Sequence, residues 1–234
     1  MYKRQGYTTE LHNHLLPSID DGVGSIEESL QAIGSLASLG IKKIITTPHI
    51  KADIYNNTQE IIGTKLAELQ SAVKKNNLEV TIEAAAEYYL DESFMRQVKG
   101  GEKLLSCGDN YILFETSHVD ESHFFIETVF ELRMQGYKPI FAHPERYHYG
   151  FNNFSILERI YDTGVFFQLN INSLQGYYGK DQQKQAKILI EKGMVDFVGT
   201  DAHGMRHINI LEKSIATNEY QKLMASGKIM NDKL

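Results

Sequence analysis

Cysteine is nearly missing from this chain: Cys107 is the only one in 234 residues. No intrachain disulfide can form, which fits a reducing compartment. No apolar run approaches the roughly 18 residues of a membrane span. The amino terminus, MYKRQGYTTE, lacks the apolar stretch of a signal peptide. The expected location is therefore the cytoplasm, with no transmembrane segment. An excess of positive charge is also missing. Lys and Arg number 24 against 30 Asp and Glu, for a formal net charge of −6. That balance argues against a general nucleic-acid binder, which needs a basic field along the phosphate backbone. It leaves room for a local positive site, because bound ions escape a sequence charge count. Pro/Ser linkers, low-complexity tracts and close repeats are absent too, so residues 1–234 read as one domain.

What remains is ordinary for a globular protein: 42% hydrophobic and 23% charged residues. A chain of this length buries roughly 70–75% of its unfolded surface and needs no disulfide to fold. Two textures alternate along it. Short β-rich runs are expected at Thr8–His12, Lys43–Thr47, Val80–Ala85, Tyr111–Phe114, Lys138–Ala142, Val165–Leu169 and Asp196–Gly199. Amphipathic stretches lie between them, among them Ser25–Leu39, Thr58–Lys75, His123–Gln135, Asn153–Asp162 and Lys180–Lys192. Ser25 and Glu28 have capping-box spacing. Gly40, Gly136, Gly164 and Gly193 each stand between a helical stretch and a strand, where glycine closes a helix in the left-handed region. Repeated strand–helix–strand units predict a parallel α/β sheet with crossover helices. Seven strands fit either a barrel or an open doubly wound sheet.

The positions of the polar residues carry the functional signal. Almost every strand runs into a metal-capable residue: His12-Asn13-His14, Thr47-Pro48-His49, Ala86-Glu87, Phe114-Glu115, Ala142-His143 and Thr200-Asp201-Ala202-His203. The carboxyl ends of parallel strands share one rim, where such folds build their active sites. His12 and His14 are two apart, so a strand presents both on one face, and Asp201 and His203 repeat that spacing. Imidazole with carboxylate suits zinc, iron or manganese. The lack of cysteine ligands excludes a finger-type zinc site. His118, His123, His148 and His207 read as polar rim.

These residues carry a resemblance. Leu11-His12-Asn13-His14, Asp20-Asp21-Gly22, Thr47-Pro48-His49, Glu87, Glu115, His143 and Asp201-Ala202-His203 resemble the motif series of the polymerase-and-histidinol-phosphatase (PHP) superfamily. The strings HNHLLPSIDDG, TTPH, AAEYY, AHPERY and GTDAH are closer still to the bacterial PHP-type protein-tyrosine phosphatases of capsular and exopolysaccharide synthesis. The likeness runs from about residue 10 to 207. It implies a distorted seven-stranded β/α barrel with three divalent metal ions, commonly manganese, with iron or zinc as alternatives. By matched position, His12, His14, Glu87 and Asp201 would hold the first ion. Glu87 would bridge to a second held also by Glu115 and His143. Asp21, His49 and His203 would hold the third, with Asp20 as the alternative to Asp21. The implied partner is a phosphotyrosine protein, a bacterial tyrosine kinase of polysaccharide export.

Charge is consistent with that activity. Three divalent ions against Asp21, Glu87, Glu115 and Asp201, with neutral histidines, leave about two positive charges for a phosphate monoester dianion. The expected attacking group is a metal-bound hydroxide, with no covalent enzyme intermediate. Arg146 and Arg206 each follow a ligand by three residues, and a guanidinium fork suits phosphate. Both are expected to bind it. Tyr88, Tyr89, Tyr147 and Tyr149 flank the motifs and could wall a phenyl slot or simply pack. A cysteine-phosphatase mechanism needs arginine six positions after cysteine; Leu113 stands there. The competing readings are a small-molecule phosphatase such as histidinol-phosphate phosphatase, a nuclease-like phosphodiesterase, and a regulatory module that holds metals without turnover.

Overall fold

The computed structural model describes residues 6–234. In chain order its elements are β1 (Thr9–Asn13), α1 (Ile26–Ser38), β2 (Lys43–Thr46), β3 (His49–Ile50), α2 (Gln59–Lys75), β4 (Thr81–Ala84), β5 (Glu87–Tyr89), α3 (Glu92–Lys99), β6 (Tyr111–Glu115), α4 (Phe125–Met134), β7 (Lys138–Ala142), α5 (His148–Asn152), α6 (Ser155–Tyr161), β8 (Phe166–Asn170), α7 (Lys180–Glu191), β9 (Phe197–Ala202), α8 (Met205–Ile215) and α9 (Asn218–Ala225).

One sheet holds all the named strands, in the order β3-β5-β6-β7-β8-β9-β1-β2-β4, and every pairing is parallel. The strands among the described residues number nine, not the seven expected. The two additional strands arise from breaks. The second expected run, Lys43–Thr47, stops at Thr46, and a short further strand follows Pro48, which has no N–H to give to a ladder. The run facing it breaks at Ala85-Ala86. Register survives the interruption: Lys43 pairs Thr81 and His49 pairs Glu87 at the same offset. β4 pairs with β2, whereas β5, two residues further on, pairs with β3 and β6. Segment 81–89 thus links the two ends of the strand order, and the sheet is rolled.

Rolling creates two apolar compartments. Leu11, Ile45, Leu113, Ile140 and Phe197, drawn from strands around the sheet, pack with Ala85, Cys107 and Tyr111 in one cluster. The larger cluster includes the inner faces of the helices, for example Ala32, Ile33 and Leu36 of α1 and Ala186 and Leu189 of α7. Helix starts follow the sequence cues. Ser25 Oγ accepts from the Glu28 amide, and the Glu28 carboxylate returns one residue early, accepting from Gly24 N–H. Gly40 and Gly193 take the positive φ expected of helix-closing glycines. Among the described residues no helix is long and apolar enough to cross a membrane.

A candidate metal centre on the strand rim

Six chain segments deliver polar side chains to one end of the rolled sheet. β1 runs into His12 and His14, β6 into Glu115, β7 into His143, and β9 into Asp201 and His203. His49 and Glu87 lie beyond the strand breaks and open β3 and β5 instead of closing the strands before them. They face each other as a ladder pair. All nine residues singled out as ligands come together here.

Glu87 is the centre. It is fully buried. Its Oε2 lies 3.2 Å from His12 Nε2, 3.4 Å from His14 Nε2 and 3.2 Å from His49 Nδ1. Its Oε1 lies 3.3 Å from His143 Nε2. Asp201 Oδ1 stands 3.4 Å from His12 Nε2 and 3.5 Å from His14 Nε2. A tetrahedral ion with bonds of about 2.0–2.2 Å would separate its donors by about 3.3–3.6 Å, close to the 3.2–3.5 Å between the His12 and His14 Nε2 atoms and the Glu87 and Asp201 oxygens. Glu115 Oε2 is 3.6 Å from His143 Nε2. Asp21 Oδ1 is 3.4 Å from His49 Nε2 and 3.5 Å from His203 Nε2.

The donor atoms face inward with nothing to bond. His12 Nε2, His14 Nε2, His49 Nδ1 and both Glu87 carboxylate oxygens are buried without a hydrogen-bond partner. Leaving a buried carboxylate so exposed to desolvation is costly unless a cation compensates it. The arrangement fits a cluster of divalent ions.

The second nitrogen of three of these imidazoles is tied down. His12 Nδ1 bonds Gln168 Oε1 at 2.5 Å, His14 Nδ1 bonds Asp20 Oδ2 at 2.8 Å, and His203 Nδ1 bonds the Asp201 carbonyl at 2.9 Å. Assigning the proton to each Nδ1 turns the Nε2 lone pair toward the centre. Asp20 is thereby spent. It also accepts from the backbone N–H of His49 and Gly22, so it positions His14 while Asp21 faces the cluster. Gly22 allows this packing, since a Cβ there would sit 2.1 Å from the His14 carbonyl oxygen.

The backbone is strained at the same place. His12, His143 and Asp201 have φ of 74°, 37° and 50°. Each left-handed non-glycine residue costs of order 1–3 kcal/mol and tends to mark a functional site. β1 and β9 shift register between Leu11 and Asn13. A Cβ on Gly199 would lie 2.2 Å from the Leu11 carbonyl oxygen, so glycine permits that approach.

The electrostatics follow from crowding. Burial pushes the His12 imidazole down, but Glu87 and Asp201 outweigh it and raise it to about 9. Burial, then Glu87, raise Glu115 to about 8. Burial and Arg146 lower His143 to about 4. The bond from His203 holds Asp21 down at about 2.

Asp21, His49, Glu87, Glu115, His143, Asp201 and His203 line a cavity of about 300 Å³ that also receives Lys51, Ile54, Tyr55, His118 and Arg146. A larger cavity, about 570 Å³ along α4, is lined by Ile126, Val129, Phe130, Arg133, Met134 and Thr163 and has no metal-capable side chain. Arg146 donates from Nη1 to Asp201 Oδ2 at 2.7 Å and rests 4.6 Å from the Tyr178 ring centroid. Arg206 is exposed, stands over Tyr177 at 5.5 Å, and does not line the cavity.

Residues 8–223 match the family described as "Capsular polysaccharide synthesis, CpsB/CapC". The chain belongs to this family. The tyrosine-protein phosphatase YwqE of Bacillus subtilis is 28% identical over 86% of this chain and 79% of its own. The tyrosine-protein phosphatase CpsB of Streptococcus pneumoniae is 26% identical over 84% of this chain and 83% of its own. The crystal structures of YwqE and CpsB, "unique metal-dependent tyrosine phosphatases", include a chain that superposes with a TM-score of 0.80 at 26% identity. The match covers 92% of this chain and 90% of that one.

Within this CpsB/CapC chain the two readings of the tyrosines separate. Tyr88 and Tyr147 are buried, and their hydroxyls accept from Leu105 N–H and Thr116 N–H. Tyr149 stacks on Tyr147. These three pack. Tyr89 carries Lys51 Nζ 3.8 Å above its ring. The tyrosine that reaches the cavity is Tyr55, stacked on His49 at 5.5 Å and 10°. β8, which brings no ligand, supplies the supports: Gln168 holds His12, and Asn170 Nδ2 donates to Asp201 Oδ2 at 2.8 Å. Neither was foreseen, although both carry amide side chains at a strand's carboxyl end. Cys107 is buried in the apolar cluster, and its burial pushes the thiol up to about 12.

Proposed function

We propose that this chain is a metal-dependent protein-tyrosine phosphatase of capsular or exopolysaccharide synthesis, with residues 1–234 forming one catalytic domain. The observation that carries the reading is Glu87: a buried carboxylate with both oxygens unpartnered, enclosed by His12, His14, His49 and His143. We assign His12, His14, Glu87 and Asp201 to one ion. Glu87, Glu115 and His143 take a second, and Asp21, His49 and His203 a third, with manganese as the working metal. Bound ions would supply Lewis acidity and bring the pKa of a water to about 7.

The chain's own groups do the rest. Gln168, Asp20 and the Asp201 carbonyl fix the imidazole tautomers. Arg146 lines the cavity with its guanidinium against Asp201, where its remaining N–H groups can meet phosphate oxygens. Arg206 would need to turn inward to join it. Ile54 and Tyr55 are the apolar elements of the lining, and Ile54 is 59% exposed. They offer a flat face to an aryl leaving group. Lys51 beside them suits an acidic peptide. The partner is a phosphotyrosine protein of the cytoplasm, for which a tyrosine kinase of polysaccharide export is our candidate.

The test is turnover of a phosphotyrosine peptide beside histidinol phosphate, before and after chelation. Peptide hydrolysis should vanish in EDTA and return with manganese. Full activity in excess EDTA after time for exchange would end the metal reading. Faster turnover of histidinol phosphate would end the tyrosine reading.

A further inference from the structure

His118 stands three residues beyond Glu115, in the loop that follows β6, and its residue type and spacing gave no reason to separate it from ordinary rim histidines. Its surroundings do. Its Nε2 is buried with no hydrogen-bond partner, like the inward nitrogens of His12 and His14. A ligand atom of His118, one of Glu115 and one of His143 all lie within 4.8 Å of one another. The His118 ring is 5.4 Å from that of His143, and it lines the cavity.

The loop is fixed in place. The His118 carbonyl accepts from His148 N–H at 2.8 Å, and Thr116 N–H donates to the Tyr147 hydroxyl at 3.2 Å. Both anchors belong to the segment just after His143. The side chain also packs 5.3 Å from the Tyr147 ring. A buried imidazole nitrogen ordinarily finds a donor or acceptor. Here Glu115 and His143 each offer a ligand atom within 4.8 Å of one of its own, and what imidazoles and a carboxylate share is a cation.

We infer that His118 is a tenth metal ligand, completing the donor set of the ion held by Glu87, Glu115 and His143. This rests on the trinuclear reading above. With His118 that ion would have four protein donors, as the first ion has. The first has two imidazoles and two carboxylates, and the second would match it.

The experiment counts ions. Wild type, His118→Ala and His118→Gln are stripped, dialysed against a manganese series and assayed for bound metal. Cobalt-loaded samples are compared by visible absorption, which responds to coordination number. Supporting residues around metal sites are worth about 10–100-fold in affinity, so loss of a direct ligand should weaken one ion at least tenfold and leave the other two unchanged. The cobalt band of that ion should shift in both variants. His118→Gln keeps size and polarity, so its behaviour separates ligation from packing. If both variants hold every ion with wild-type affinity and an unaltered cobalt spectrum, His118 is not a ligand, while the phosphatase reading stands. If wild type takes up no ions, both readings fall together.

Discussion

Glu10 and Glu87 are both fully buried glutamates in the same sheet, and they live in opposite conditions. Glu10 is satisfied. Its Oε1 accepts from Thr200 N–H at 2.8 Å and Thr200 Oγ at 2.7 Å, and its Oε2 accepts from the Tyr7 hydroxyl at 3.1 Å. Burial still raises it to about 7. Nearby, the chain's last residues seal the strand starts: Asn231 bonds Thr9 and Val198, and Asp232 accepts from Thr8 and Thr9. Glu87, at the other end, has no hydrogen-bond partner, and histidines pull it well below the usual carboxylate range despite its burial. A buried charge is therefore not by itself a site. What distinguishes the functional rim is polar atoms left open, on backbone held in a costly conformation, for a ligand the chain does not contain.

The sharpest way to break this contrast is to neutralise each glutamate in turn. Glu87→Gln should lower turnover more than about 100-fold, beyond the cost of removing a metal's supporting residue, and reduce bound metal while the fold survives. Glu10→Ala should do the reverse. It strands the Thr200 amide and hydroxyl, at about 1–3 kcal/mol for each donor left unsatisfied, but leaves metal content intact. Kinetics, metal analysis and thermal melts on both variants test this, and a Glu87→Gln enzyme with normal rate and stoichiometry would overturn the central assignment.

Arg146 tests whether the rim recognises phosphate as well as metal. A charge-assisted hydrogen bond contributes about 1.5–3 kcal/mol, or about 10- to 150-fold in rate if realised at the transition state. Arg146→Ala should show that loss in kcat/KM for aryl phosphates, and Arg146→Lys should recover part of it. Wild-type kcat/KM in the alanine variant would reduce Arg146 to a support for Asp201.

Acidity gives a smaller handle on the same end. In the metal-free protein His12, raised to about 9, and Glu115, raised to about 8, both hold protons at neutral pH. Metal must displace them. Metal affinity should therefore rise with pH between 7 and 9, by about tenfold per unit for each proton released, and uptake should acidify a weakly buffered solution. Calorimetry in buffers of different ionisation enthalpy would show it, and a pH-independent affinity would contradict it.

The smallest effect is expected at the mouth. The loop carrying Tyr55 is tied down by the Lys51–Tyr55 bridge and by Asn57, whose side-chain N–H groups reach the Ile19 and His49 carbonyls. Aromatic pairing contributes about 0.5–1.5 kcal/mol, so Tyr55→Ala should weaken phosphotyrosine peptides a few-fold while barely touching acetyl phosphate. Equal losses on both would point to a disturbed His49 instead.

The chain's own text determined the strand–helix alternation, the helix ends at Ser25 and Gly40, and the convergence of nine candidate ligands. Those are local matters of apolar periodicity, capping chemistry and residue type at the end of a run. Tertiary structure decided what depends on neighbours distant in sequence. It split two strands at Pro48 and the residues facing it, giving nine where seven were expected, because an interrupted ladder shows only when its partner is in place. Choosing Asp21 over Asp20 needed the His14 ring, which occupies Asp20. Tyr88 and Tyr147 became packing because Leu105 and Thr116 claim their hydroxyls. Gln168, Asn170 and His118 gained their places beside the cluster from the roll of the sheet. Hydrogen bonds, burial and orphaned lone pairs are relations between side chains, and the order of residues along a chain does not specify them until the chain has closed on itself.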